Sequence, residues 1–222
     1  LQKKKMMKIE IWSDIVCPFC YIGKRRLEEA LAGFEHAENV DVIWRSFQLN
    51  PNQVTNPNIS VIEDLAQKKG WTLQYASDAS ESVADMAAEE GLFYDFQKAI
   101  PANTFNAHRL LQFAKTKALG SALKEALLQA YFIDGKNVDD AETLGAIAAA
   151  CGLPAEETQR VITDASAFRH AVLQDGSEAT ELGISGVPFF VFNRKYGISG
   201  AQPLKTFTEM LQKVWAEMET QH

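Results

Sequence analysis

Trp12-Ser13-Asp14-Ile15-Val16-Cys17-Pro18-Phe19-Cys20-Tyr21 decides how this 222-residue chain is read. Ahead of the cysteines, Lys8–Ser13 reads as a short strand. Behind them, Gly23, Leu27, Ala30, Leu31 and Phe34 fall on one helical stripe, flanked by Lys24, Arg25, Glu28 and Glu29. Pro18 suits a first helical turn, where its missing N–H would have no partner anyway. Val40–Phe47 follows, and its apolar residues do not simply alternate, which predicts a strand covered on both faces. The segment up to residue 50 is therefore strand, helix, strand, with C-x-x-C at the strand-to-helix turn.

Working outward, Asn50–Asn58 is rich in Asn and Pro and reads as a loop. A long helical stretch comes next. Ser60 with Glu63 signals a capping box. Further helices are marked by Val83, Met86 and Ala87, by Leu110, Leu111 and Ala114, and by Leu123, Ala126, Leu127 and Ala130. Leu144, Ile147, Ala148 and Cys151 mark another, ended by Gly152 with Pro154 beyond. Strand-formers return at Phe189–Phe192, then a turn at Asn193-Arg194-Lys195, a second strand at Tyr196–Ser199, and a final amphipathic helix through Leu204, Phe207, Leu211, Val214 and Trp215 after Pro203. The fold class is α/β: a βαβ unit, a large all-helical insertion, then ββα, the two β halves sharing one sheet. The expected division is residues 6–50 with 166–222 around an inserted helical subdomain 51–165. Residues 1–5 read as a remnant of upstream sequence or as disordered.

Composition narrows the function. Basic residues number 22 against 29 acidic, a net charge of −7, which argues against a nucleic-acid partner. No apolar run approaches the roughly 20 residues that span a bilayer, so no membrane partner is expected. Glu10, Ser13 and Asp14 interrupt the apolar run that a signal peptide would need, and the expected compartment is the cytoplasm. Three cysteines are not the framework of a small secreted scaffold. His36, His108, His170 and His222 are scattered, so Cys17 and Cys20 lack partners for structural zinc; no metal site and no cofactor are expected.

A helix N-terminus changes what the two sulfurs can do. Cys17 is expected near the N-cap and Cys20 about three residues in, where unpaired N–H groups favour thiolate. Their i, i+3 spacing also places the Cα atoms within disulfide reach. Pro18 stiffens the turn, and Phe19 adds neither charge nor hydrogen-bond donor. Asp14 either opposes the thiolate or is solvated at a strand end, and Lys24 either adds positive field or is solvated surface. His108 either lines the cleft or bonds within the helices. Asn103 reads as an N-cap, Cys151 as a buried core thiol, and Phe93, Tyr94 and Phe96 as core.

The opening decapeptide resembles the active-site segment of DsbA-type thioredoxin-like oxidoreductases, in particular their FrnE-like branch. Asn103-Thr104-Phe105-Asn106-Ala107-His108-Arg109-Leu110, Gly186-Val187-Pro188-Phe189-Phe190-Val191-Phe192 and Gly200-Ala201-Gln202-Pro203 agree in the same order. The resemblance implies a thioredoxin-like fold with a helical insertion, Cys17 as nucleophile and Cys20 as resolving partner. It also implies a cis-proline at Pro188, with the Val187 backbone pairing with a substrate peptide or glutathione. Partners would be thiol or disulfide proteins, or glutathione as redox partner or substrate. Two alternatives stay open: a glutathione-dependent isomerase or transferase, as in related enzymes with serine at the first position, and a chaperone-like binding protein. Oligomeric state is not legible.

Overall fold

The computed structural model describes residues 5–220. Residues 1–4, within the segment read as a remnant or as disordered, lie outside the described residues. Lys5 departs from that expectation: its ammonium donates to the Met218 carbonyl at 2.6 Å.

Strand β1 (Met7–Ser13) lies inside a four-stranded sheet of order β2-β1-β3-β4. It runs parallel to β2 (Val40–Ser46) and antiparallel to β3 (Phe189–Phe192), which pairs antiparallel with β4 (Tyr196–Ser199). Helix α1 (Pro18–Ala32) makes the crossover from β1 to β2, and a 3-10 turn (Ala37–Asn39) leads into β2. Between β2 and β3 lie α2 (Val61–Lys69), α3 (Leu73–Glu89), α4 (Phe105–Thr116), α5 (Gly120–Phe132), α6 (Ala141–Ala150), α7 (Ala155–Thr163) and α8 (Arg169–Glu181). Helix α9 (Leu204–Thr220) closes the chain.

Side-chain alternation explains the layers. Met7, Ile9 and Ile11 of β1 share a face with Phe190 and Phe192 of β3, and register pairs Ile9 with Phe192 and Ile11 with Phe190. Ile22 and Leu27 of α1 and Phe207, Leu211 and Val214 of α9 cover that face. The other face carries Trp12 and Val191, packed with Ala179 of α8 and Ile184. Strand β1 is buried on both sides except at Lys8, although Lys8 and Glu10 interrupt its apolar residues. The cover on both faces predicted for Val40–Phe47 is only partial, since much of β2 at the sheet edge is half-buried. The first core continues into the helical layer through Leu110, Leu123, Leu127, Phe132 and Leu144.

Buried polar groups on the second face are paired, as burial requires. Asp175 of α8 accepts from Arg45 at 2.9 Å, from the Ser46 amide at 2.8 Å and from Gln112, while its own carbonyl takes the Trp12 indole N–H at 2.8 Å. Arg45 and Arg194 both reach Glu10. Local signals also hold: Ser60 and Glu63 form the reciprocal capping box, and Gly152 takes the left-handed conformation that ends α6.

Two glycines matter for what lies beneath the site. Gly200, at φ 79°, turns the chain after β4 and donates its N–H to the Pro188 carbonyl at 2.8 Å. Gly23 lets α1 approach β3, because a Cβ there would stand 3.1 Å from the Phe190 ring and 3.2 Å from Pro188. Gly23→Val is therefore expected to destabilise the fold by about 1–3 kcal/mol through overpacking. Urea denaturation checks this as a lowered midpoint at unchanged slope; an unchanged midpoint contradicts the close approach.

Candidate functional site

Cys17 is the N-cap of α1, with φ −95° and ψ 111°, and Pro18 is the first helical residue. No side chain caps this terminus, so its first-turn N–H groups are left to the sulfurs. The Cys20 amide donates to the Cys17 carbonyl at 3.0 Å, and the Tyr94 hydroxyl clamps the intervening Pro18 carbonyl at 2.8 Å. Both thiols are free and nearly buried, whereas Phe19 between them is 38% exposed. Across from them the Val187–Pro188 peptide is cis. The Cys17 thiol donates to the Val187 carbonyl at 3.4 Å, which brings the sequence segments around residues 17 and 187 together.

The electrostatics correct one expectation. The helix terminus predicts that Cys17 is the acidic thiol. Instead its hydrogen bond with Cys20, its burial and the negative charge of Asp14 push the Cys17 thiol well up. Cys20 goes the other way: burial resists its ionisation, but the hydrogen bond from Cys17, the charge of Lys124 and the Ser13 hydroxyl hold its thiol below the ordinary value. Two adjacent sulfurs titrate as a pair, so the first proton leaves readily and the second is retained.

Beneath the turn, Asp14 is buried rather than solvated. Its carboxylate accepts from the amides of Ile15 and Leu49, each at 2.8 Å, and from His108 Nε2 at 3.1 Å. An ionised carboxylate only accepts, so His108 carries its proton on Nε2. Burial would raise the Asp14 pKa, yet the His108 hydrogen bond and charge and the Leu49 amide hold it below the usual carboxylate range. His108 thus neither lines the cleft nor bonds only among the helices; it ties α4 to the end of β1.

Other positions resolve as follows. Lys24 is buried and spends its charge on Glu28, at 2.5 Å, and on Glu125. Glu125 also holds Tyr21 and Arg25; although burial opposes it, Arg25, Lys24 and Tyr21 pull its pKa down to about 2. Thr104, not Asn103, is the N-cap of α4. Asn103 accepts from the Phe105 amide at 2.9 Å and donates to the Gln53 carbonyl at 2.9 Å, pinning the loop after β2. Cys151 is half-buried, its thiol 3.8 Å from the Ala122 carbonyl. Tyr94 and Phe96 pack on the core, but Phe93 is 71% exposed. Sequence reasoning missed Lys124, although it lies on the buried face of α5 between Gly120 and Leu128, four residues from each.

Similarity to known proteins agrees with this geometry. Residues 8–212 match the model of the DSBA-like thioredoxin domain. The chain belongs to that family. It is similar to the crystal structure of a probable DsbA oxidoreductase from Streptomyces coelicolor, at 42% identity and TM-score 0.89, covering 95% of this chain and 91% of that one. The uncharacterized protein YwbO of Bacillus subtilis (strain 168) is 27% identical over 191 residues, 82% of this chain and 85% of that protein. The cytosolic disulfide reductase DsbM from Pseudomonas aeruginosa, solved with GSH, shares the fold at 16% identity and TM-score 0.63, covering 94% of this chain and 99% of that one.

Within this DsbA-like frame an apolar cleft of about 460 Å³ opens beside Pro18 and Phe19. Its walls include Val61, Leu65, Trp71 and Phe96 from the helical layer. No group of three or more His, Cys, Asp or Glu residues is placed to hold a metal ion among the described residues. Nor is any described helix long and apolar enough to cross a membrane.

Asp14→Asn is expected to cost on the order of 3 kcal/mol at pH 7, because it removes one partner of a buried charged cluster. The Asp14 pKa is depressed on folding, so its contribution is full above the unfolded carboxylate value and is lost as pH falls through the lower folded value. Chemical denaturation from pH 7 to pH 3 should show the gap between wild type and variant closing on the acid side. A gap independent of pH contradicts the ionised role.

Proposed function

We propose that this chain is a thiol–disulfide oxidoreductase of the FrnE-like branch, acting through Cys17-Pro18-Phe19-Cys20. The observation that carries the reading is the buried, hydrogen-bonded pair of free thiols at the start of α1, with Cys17 against the Val187 carbonyl beside cis-Pro188. In the reducing direction the Cys17 sulfur attacks a substrate disulfide as its proton passes to Cys20. A Cys17–substrate bond forms and one substrate thiolate leaves. Cys20 then attacks Cys17 as its proton passes to the second substrate sulfur; the Cys17–Cys20 bond forms and that sulfur departs as a thiol. Oxidation of a substrate dithiol is the reverse.

The roles divide by position. Cys17 is the nucleophile because it is the sulfur at the Val187–Pro188 side, and Cys20 resolves from beneath. Pro18 and Phe19 tune the pair, Pro18 by fixing the turn and Phe19 by presenting an uncharged ring to the cleft. The Val187 backbone pairs with an extended substrate or with glutathione. The DsbM structure with GSH supports a glutathione partner, and that protein's cytosolic setting supports the cytoplasm as compartment.

A second reading has one specific observation in its favour. The apolar cleft beside Phe19 suits a glutathione-dependent isomerase or transferase acting on an apolar small molecule. The two readings separate on Cys20. Under the oxidoreductase reading, Cys20→Ser stops turnover and accumulates a covalent Cys17 adduct with a glutathione disulfide or a protein disulfide, visible by mass spectrometry. Cys17→Ser yields neither adduct nor turnover. Glutathione-dependent activity that survives Cys20→Ala would transfer the assignment to the second reading.

A further inference from the structure

Arg26 lies on α1 past Cys20 and takes no part in the disulfide exchange itself. Its guanidinium is largely buried and holds two partners from different parts of the chain. Nε meets the Glu90 carboxylate at 2.5 Å, where α3 ends, with both side chains only 14% exposed. Nη1 donates to the Ala201 carbonyl at 2.7 Å, in the turn after β4. A guanidinium is planar and its donors are fixed relative to one another, so the two partners are held at a set separation. The turn at Ala201 is itself braced: Gln202 donates from its amide to the Gly200 carbonyl at 3.0 Å and from its side chain to the Ser199 carbonyl at 2.9 Å. The Gly200 amide in turn donates to the Pro188 carbonyl at 2.8 Å, next along the chain from the Val187 carbonyl that faces Cys17. The opposite wall is reached from the same connection between α3 and α4, where the Tyr94 hydroxyl donates to the Pro18 carbonyl at 2.8 Å. Residues 90–94 thus hold both walls of the site, the redox turn directly and the Val187–Pro188 segment through Arg26.

We propose that Arg26, braced by Glu90, is a positioning residue for substrate binding. It fixes the Gly200–Ala201 turn behind Pro188 and so sets where the Val187 backbone meets a substrate that carries peptide groups beside its disulfide. This rests on the disulfide-exchange reading of the same site. The pair is a firm anchor because removing either member strands the other charge away from water. Its hydrogen-bond partners are Glu90 and Ala201, and neither cysteine is among them. The influence of Arg26 therefore falls on how a peptide-like disulfide is held, and not on the reactivity of the sulfurs. A disulfide without peptide groups has nothing to pair with Val187 and is indifferent to it.

Oxidation of the reduced protein by two reagents separates these effects. Glutathione disulfide carries peptide groups; hydroxyethyl disulfide has the same reacting bond and none. Each closes the Cys17–Cys20 bond and leaves as two thiols, and acid quench followed by mass spectrometry gives the two rate constants. Arg26→Met should lower the ratio of the glutathione disulfide rate to the hydroxyethyl disulfide rate about tenfold, the worth of one backbone hydrogen bond. Glu90→Leu should do the same, and the two changes together should be no worse than either alone. A merely structural ion pair would lower denaturation resistance and leave the ratio within twofold of wild type; that result overturns the proposal. The double variant strands no charge, so it decides if a single variant does not fold. Its own failure to fold would mark the pair as structural and overturn the proposal as well. So would a wild-type ratio no higher than that of free cysteine with the same two reagents. Failure of wild type to close the Cys17–Cys20 disulfide with either reagent would instead sink the oxidoreductase reading itself.

Discussion

The carboxylate of Asp14 enters the protein interior where β1 ends, and most of the site depends on how it is satisfied. Its acceptors reach three separate parts of the chain: the turn at Ile15, the exit from β2 at Leu49, and α4 through His108. Lost hydrogen bonds to a buried charge cost far more than the bonds contribute net, so this geometry is strongly enforced. The consequence is positional. After Asp14 the chain turns directly into α1, and that turn sets Cys17 at the N-cap and Cys20 in the first turn below it.

The same negative charge shapes the chemistry. It disfavours ionisation of Cys17. Cys17 faces the Val187 carbonyl, and Cys20 is the more deeply buried of the two. The helix terminus supplies a field common to both sulfurs, while the buried side chains act on them unequally.

Much of the fold is legible in the sequence because strand and helix periods are local. The short β1 strand, the Phe189–Phe192 strand, the Asn193–Lys195 turn and the Ser60–Glu63 cap each rest on neighbouring residues. Helices α7 and α8 carried no marker of their own, since α8 mixes Asp175, Glu178 and Arg169 with few apolar residues. Asp175 does its work in three dimensions, under Arg45 and Ser46. The polar half of the site was illegible for the same reason. Asp14 looks like a strand-end carboxylate, His108 like a helix histidine and Asn103 like a cap, and only tertiary contact reveals their partners. Lys124 was the exception that patterning could have caught, because it falls in line with the buried face of its helix.

On the oxidoreductase reading proposed above, Cys17 and Cys20 form a two-electron couple held apart from Cys151. Equilibrating the protein in graded glutathione buffers, trapping by alkylation and reading the products by mass spectrometry tests this directly. The expected result is one transition in which both alkyl groups are lost together from Cys17 and Cys20, while Cys151 stays modified throughout. Absence of that internal disulfide at every buffer ratio, or its formation through Cys151 instead, would contradict the account.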